Sequence, residues 1–227
     1  MTQKRKIIKR LGISFKTGVL GDVTFKLIAN IVSTIIRNII VLPALARFFT
    51  NAQYGELITI IGVITTITAG LGNALLSTRL VMESDYNRNN KEGDFNLICI
   101  IVSLLSIIFI VPLVYYFPSI GGTQAIIVVI ILFAETYIGY HSGWFILRQA
   151  YKKLLIYTLV GGLGFGVGLL VTRITGYWTL TYLCSDIMSF VFLHSFSPLV
   201  KEKRIFTSLL KTTLNKYGVL FLTTIIT

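Results

Sequence analysis

VTFKLIANIVSTIIRNIIVLPALARF, residues 23–48, decides the fold. The stretch is apolar over the length that a helix rising ~1.5 Å per residue needs to cross a hydrocarbon core ~30 Å thick. It nevertheless holds Lys26 and Arg37, two cations that a helix facing lipid on all sides does not tolerate. Five more apolar runs follow: Tyr54–Met82, Phe95–Phe117, Gln124–Leu147, Leu154–Val171 and Tyr177–Phe196. With 54% hydrophobic residues, 13% charged residues and a mean hydropathy of +0.79, the composition is that of a polytopic membrane protein. The expected fold is all-α, with six transmembrane helices.

The formal net charge is +12, and 21 Lys and Arg residues supply it. They concentrate in alternate gaps between the runs. Lys4, Arg5, Lys6, Lys9, Arg10 and Lys16 precede the first run, and Arg79, Arg88 and Lys91 lie at or after the end of the second. Arg148, Lys152 and Lys153 follow the fourth, and Lys201, Lys203, Arg204, Lys211 and Lys216 follow the sixth. The other gaps hold only Arg47 and Arg173. Short loops rich in Lys and Arg stay cytoplasmic, so the amino terminus is expected inside. A nucleic-acid-binding domain would gather its cations on one folded face, and here they are dispersed between membrane spans. The charge encodes topology, and no nucleic-acid partner is expected.

Residues 1–18 place Ile7, Ile8, Leu11 and Phe15 at a spacing that suits a basic amphipathic helix on the cytoplasmic surface or, equally, a solvated tail. Residues 19–198 make the six-helix lobe, and residues 199–227 a cytoplasmic loop leading into a seventh helix. Val219–Ile226 is too short to finish a crossing, so a continuation beyond Thr227 is expected. The loops Thr50–Gln53, Ser119–Thr123 and Ile174–Gly176 leave no room for an outer domain, and Glu83–Asp94 reads as a solvated connector. Ala44-Leu45-Ala46 mimics a signal-peptidase site, but the run before it is too long and too charged for a cleaved signal. Cys99 and Cys184 lie within spans and read as packing residues, with no disulfide or metal role.

The spans carry polar stripes. In the first, Asp22, Lys26, Asn30, Ser33 and Arg37 share one helical face, with Thr34 and Asn38 beside it. The second repeats this with Glu56, Thr59, Gly62, Thr66, Gly70, Asn73 and Ser77. Two such faces on consecutive helices predict a hydrated cavity between them; interhelical hydrogen bonding explains the small residues, and the cations only if each pairs with a carboxylate such as Asp22, Glu56, Glu135 or Asp186. Glu135, with Gly139 and Ser142, marks the fourth span, and Asp186, with Tyr182 and Ser189, the sixth. Each carboxylate could relay protons, bind Na⁺ or neutralise Lys26 or Arg37, and the sequence leaves these three roles open. His141 and His194 read as interfacial packing residues, with a proton-relay role as the alternative. Gly161, Gly162, Gly164, Gly166 and Gly168 in the fifth span hold two overlapping GxxxG spacings, a device for close helix approach.

Ala46-Arg47-Phe48-Phe49 followed by Tyr54-Gly55 resembles a signature of Wzx-type O-antigen flippases, in the multidrug/oligosaccharidyl-lipid/polysaccharide exporter superfamily. Gly70-Leu71-Gly72-Asn73-Ala74, Arg148-Gln149-Ala150 and Lys216-Tyr217-Gly218 add to the resemblance, which runs over nearly the whole chain. It implies a two-lobe transporter, of which this chain supplies the first lobe and the start of a seventh helix, and which is not active as this lobe alone. The implied activity is alternating-access transfer of an undecaprenyl-pyrophosphate-linked oligosaccharide across the bacterial inner membrane. Lys26, Arg37 and Arg79 would form a cationic substrate site, lined by Asn30, Ser33, Glu56, Thr59, Thr66 and Asn73. Glu135 and Asp186 would couple transport to H⁺ or Na⁺, with no cofactor and no catalytic residue. The implied partners are the lipid-linked substrate, membrane lipids, and the polymerase and chain-length proteins of polysaccharide assembly. Two alternatives are a drug/cation antiporter of the same superfamily, against which Lys26 and Arg37 argue, and a membrane-embedded glycan polymerase or ligase, which the short outer loops disfavour.

Overall fold

The structure, a computed structural model, describes residues 17–88, 95–197 and 210–226. The basic segment 1–18, apart from Thr17 and Gly18, and the turn at 198–204 lie outside the described residues. α1 (Thr17–Thr34) continues through a π-helical stretch, Ile35–Val41, into α2 (Leu42–Phe48). α3 (Asn51–Arg88) is a single helix of 38 residues. α4 (Phe95–Ser106) passes through a 3-10 turn, Ile107–Phe109, into α5 (Ile110–Tyr116). Then come α6 (Thr123–Leu147), α7 (Tyr151–Thr175), α8 (Thr179–Phe196) and α9 (Leu210–Ile226). Among the described residues there is no strand.

Five stretches are long and apolar enough to cross a membrane: Thr24–Phe48, Asn51–Tyr86, Phe95–Tyr116, Thr123–Ile146 and Tyr151–Thr175. The chain is an all-α polytopic membrane protein. The sixth expected span, α8, has 18 residues and falls short of that set because Thr179, Thr181, Ser185, Asp186, Ser189 and His194 lower its mean hydropathy. It still runs antiparallel to α7 through the bundle, with Thr181 beside Gly168, Ser185 beside Gly164 and Ser189 beside Gly161.

Outward faces are aliphatic, as lipid demands. Leu159, Leu163, Val167 and Leu170 form one exposed row on α7, and Leu104, Ile108 and Val111 another on the α4–α5 unit. Inside, three apolar clusters hold the helices together. Leu57, Ile60, Val128, Leu132 and Trp178 fill the end remote from the basic loops. Leu75, Met82, Phe95, Ile98 and Tyr140 fill the basic end between α3, α4 and α6. Phe145, Leu154 and Leu193 join α6, α7 and α8 beside Ala29 of α1.

Two local breaks have sequence causes. Pro43 lacks an N–H and crowds the carbonyl four residues earlier, and the chain before it widens into a π turn in which the Leu42 N–H donates to the Arg37 carbonyl. Gly122 and Gly176 take positive φ of 54° and 76° at the two tight reversals, a conformation that a side chain would strain.

The expected polar connector over Glu83–Asp94 is helical as far as Arg88. The reason is partnership. Glu83 pairs with Arg148 at 3.4 Å, Asp85 with Lys216 at 3.8 Å, and the Tyr86 and Thr213 hydroxyls bond at 2.9 Å. α9 is thereby docked on the basic end of α3.

The glycines of α7 divide by function. A Cβ on Gly164 would lie 2.6 Å from the Ser185 Cα, and one on Gly168 would lie 2.6 Å from the Thr181 Cα. At Gly166 a Cβ meets nothing within 4 Å. Gly164→Ala and Gly168→Ala are therefore each expected to cost ~1–3 kcal/mol by forcing α7 and α8 apart. Gly166→Ala should be neutral or slightly stabilising, because alanine favours the helix. Denaturant titration of the purified protein in mixed micelles checks this; equal losses at Gly164 and Gly166 would contradict the packing account.

Candidate functional site

α1 packs along α7, and α3 packs along α6. The α1–α2 unit makes few contacts with α3, and a gap opens between the two polar faces. Behind the gap lies a cavity of about 290 Å³, walled by five helices. The α1–α2 unit contributes Ser33, Ile36 and Arg37; α3 contributes Thr65, Thr68, Ala69 and Asn73. Glu135, Gly139 and Ser142 come from α6, Tyr157, Thr158, Gly161 and Gly162 from α7, and Ser185, Asp186 and Ser189 from α8. Arg37 is near the middle of the span Thr24–Phe48 and Glu135 near the middle of Thr123–Ile146, so the cavity sits at mid-membrane depth.

Its centre is an ion pair. Arg37 Nη2 lies 3.7 Å from Glu135 Oε1, and the Thr68 hydroxyl donates to Glu135 Oε2 at 2.8 Å. The Arg37 guanidinium also lies 6.0 Å from the centre of the Tyr182 ring, at the edge of cation–π range. Asp186 is 9% exposed, and its Oδ2 has no hydrogen-bond partner among the described residues. One guanidinium thus faces two carboxylates. With both ionised, the cavity carries a formal charge of −1.

The three cations expected to form one site do not converge. Arg37 lines the cavity, whereas Lys26 is half-buried and outside its lining. Burial on α1 centres on Ala29 and on the half-buried Ile36, which packs against Gly162. At ~100° per residue Lys26 shares its face with Ser33 and Arg37, but it stands eleven residues, ~16 Å along the helix, from Arg37 toward the basic end. Asn30, on the same face, is exposed. Arg79 is buried near the basic end, donating to the Tyr140 hydroxyl at 2.8 Å with its guanidinium 5.3 Å from the centre of the Phe95 ring. It clamps α3, α4 and α6 and stands apart from the cavity.

The α3 stripe is likewise out of phase with the cavity. Asn73 lines it, but Thr59 and Thr66 are exposed and turn their hydroxyls to the Gly55 and Gly62 carbonyls at 2.9 and 2.8 Å. Glu56 accepts a bond from Ser119 at 2.5 Å and ties down the loop after α5. The polar lining residues missed are Thr65, Thr68, Tyr157, Thr158 and Ser185. Thr65 and Thr66 are neighbours, and choosing the phase through Thr66 hid the phase through Thr65 and Thr68. Tyr157-Thr158 stands one turn before Gly161-Gly162, a polar pair that the glycine pattern overshadowed. His141 is fully buried with its ring 4.1 Å from that of Tyr137 and 4.9 Å from that of Tyr140, and His194 lies 5.9 Å from Phe190, as packing residues do. Cys99 is buried and Cys184 half-buried, and neither forms a disulfide among the described residues.

No family model matches the chain, and neither the curated proteins nor the solved structures contain a match to it.

A double-mutant cycle tests the ion pair. Arg37→Gln and Glu135→Gln should each destabilise the fold, and the double variant should lose less than their sum by ~0.5–3 kcal/mol, the coupling typical of residues in contact. Additive losses in micelle unfolding would remove the pair from the account.

Proposed function

We propose that the chain is one lobe of an alternating-access transporter in the bacterial inner membrane, with its basic end at the cytoplasmic face. The observation that carries this reading is the polar cavity at mid-membrane depth with Arg37 and Glu135 at its centre. Charged groups at that depth mark ion and substrate paths, because a purely structural helix has no reason to bear their insertion cost of ~2.5–3.5 kcal/mol each. The resemblance to Wzx-type flippases supports the substrate: an oligosaccharide on a polyprenyl pyrophosphate, moved toward the outer leaflet. Hydroxyls, Asn73 and the carboxylates suit sugar hydroxyls, and Arg37 suits a phosphate.

The pair geometry gives a mechanism. At 3.7 Å the Arg37–Glu135 contact is longer than a charge-assisted hydrogen bond of ~2.7–2.9 Å. A phosphate that takes the guanidinium through two parallel bonds competes for it. That exchange leaves Glu135 without its counter-ion, and a proton or Na⁺ taken up there couples transport to an ion gradient. Two carboxylates against one guanidinium, and the unpartnered Asp186 Oδ2, favour a second reading, exchange of an organic cation.

The readings part on two variants. Arg37→Ala should lower surface polysaccharide by roughly tenfold or more, the effect of ~1.4 kcal/mol or more, with Arg37→Lys intermediate. Immunodetection of surface polysaccharide, normalised to the protein in the membrane, measures it. Undiminished display removes Arg37 from substrate binding. Normal display with Asp186→Asn abolishing cation efflux would replace the flippase by the antiporter.

A further inference from the structure

Of the charged residues in the cavity wall, Arg37 and Glu135 satisfy each other, and Asp186 is left over. It is 9% exposed and makes no hydrogen bond or ion pair among the described residues, and its Oδ2 is buried. A carboxylate at mid-membrane depth is expensive, and one kept there for structure is paired. Water can fill its hydrogen-bond positions in the empty cavity but brings no positive charge.

The hydroxyls around Asp186 do not supply the missing donor, because their protons point elsewhere. Ser185 donates to the Gly161 carbonyl at 3.0 Å, Ser142 to the Gly139 carbonyl at 3.2 Å, and Thr158 to the Leu154 carbonyl at 3.0 Å. These oxygens keep lone pairs for the cavity and offer it no hydrogen. The wall made by α6, α7 and α8 is therefore acceptor-rich, with a carboxylate in it. Donors come from the α1–α2 unit and α3, through Arg37, Ser33 and Asn73. A ligand that matches both walls has a cationic donor on one side and acceptor oxygens on the other. An organic cation with an apolar body would leave Ser33 and Asn73 facing hydrocarbon.

We propose that the Asp186 wall is an ammonium subsite, and that the sugar held in the cavity is an amino sugar whose amine is free of an acetyl group. An ammonium presents three N–H donors and the charge that Asp186 lacks. At about 290 Å³ the cavity is at the small end of ligand sites, ~300–1,000 Å³, with room for one substituted ring. The proposal rests on the transporter reading for its sugar and deepens it by naming the substituent that the site selects.

The test is ligand-detected NMR titration of the purified chain in micelles, at a pH that keeps the amine protonated. Glucosamine, N-acetylglucosamine and glucose share the ring and differ at one substituent. Glucosamine should bind about tenfold or more tighter than the other two, the effect of one charge-assisted contact. Asp186→Asn should erase that preference and leave the weaker binding of glucose unchanged. Equal binding of the three sugars, no binding of glucosamine, or a preference that survives Asp186→Asn would each overturn the proposal. The first two are read on the unaltered chain, whether or not the variant folds. Tetraethylammonium binding as tightly as glucosamine, and competing with it, would make the wall a plain cation site and end the sugar assignment. Glucosamine 1-phosphate separates this proposal from the reading beneath it. A gain over glucosamine that is lost in Arg37→Gln supports a phosphate at Arg37. No gain counts against the lipid-pyrophosphate substrate and leaves the ammonium subsite standing.

Discussion

A guanidinium in the middle of a bilayer must find a partner, and much of this bundle is arranged around that requirement. Arg37 cannot face lipid at ~2.5–3.5 kcal/mol or more per buried cation, and Glu135 on α6 neutralises it. Thr68 on α3 then holds the other Glu135 oxygen. Three helices distant in sequence are joined by these two contacts. The groups so gathered are polar, which keeps the space around them from closing as a packed apolar core would. The cavity is a consequence of the pair.

Close packing elsewhere makes the cavity affordable. Gly164 and Gly168 let α8 approach α7 until backbones touch, and Gly72 does the same for α3 and α6, where a Cβ would stand 3.3 Å from the Thr136 carbonyl oxygen. Lipid offers no hydrophobic drive between helices, so association depends on such contacts and on hydroxyls such as Ser185, which donates to the Gly161 carbonyl at 3.0 Å. The α1–α2 unit is held mainly by α7, and its other side, with Asn30, Thr34 and Asn38, stays exposed. On that side the Arg37 side chain keeps 35% of its surface exposed.

The helical membrane fold was legible because ~20-residue apolar length is a blunt signal that no local detail overrides. Arg37, Glu135, Asn73 and Asp186 were legible as residues of the polar interior for a related reason: charge or amide at that depth has few explanations, and Ser33 follows from sharing the Arg37 face. Lys26 and Arg79 misled because the sequence shows that a cation is in a span but not which neighbour receives it. Arg79 found Tyr140 and the Phe95 ring, partners on helices more than ten residues away along the chain. Thr65 and Thr68 were hidden because threonine satisfies itself on its own helix, as Thr66 does, and only the packing of α3 on α6 decides which threonine faces inward. The extension of α3 to Arg88 depends on Arg148 and Lys216, which no local pattern near Glu83 reveals.

Water access to the cavity is the most direct measure of the central claim. With Cys99 and Cys184 replaced by alanine, single cysteines are placed at Ser33, Asn73 and Ser189 in the cavity wall and at Val111 and Leu163 on the lipid-facing surface. Each variant in native membranes is then exposed to a small charged thiol reagent. The account predicts reaction at the three cavity positions, faster than at the two lipid-facing ones. Protection of all three cavity positions, or equal reactivity at Val111 and Leu163, would contradict a hydrated polar cavity around Arg37.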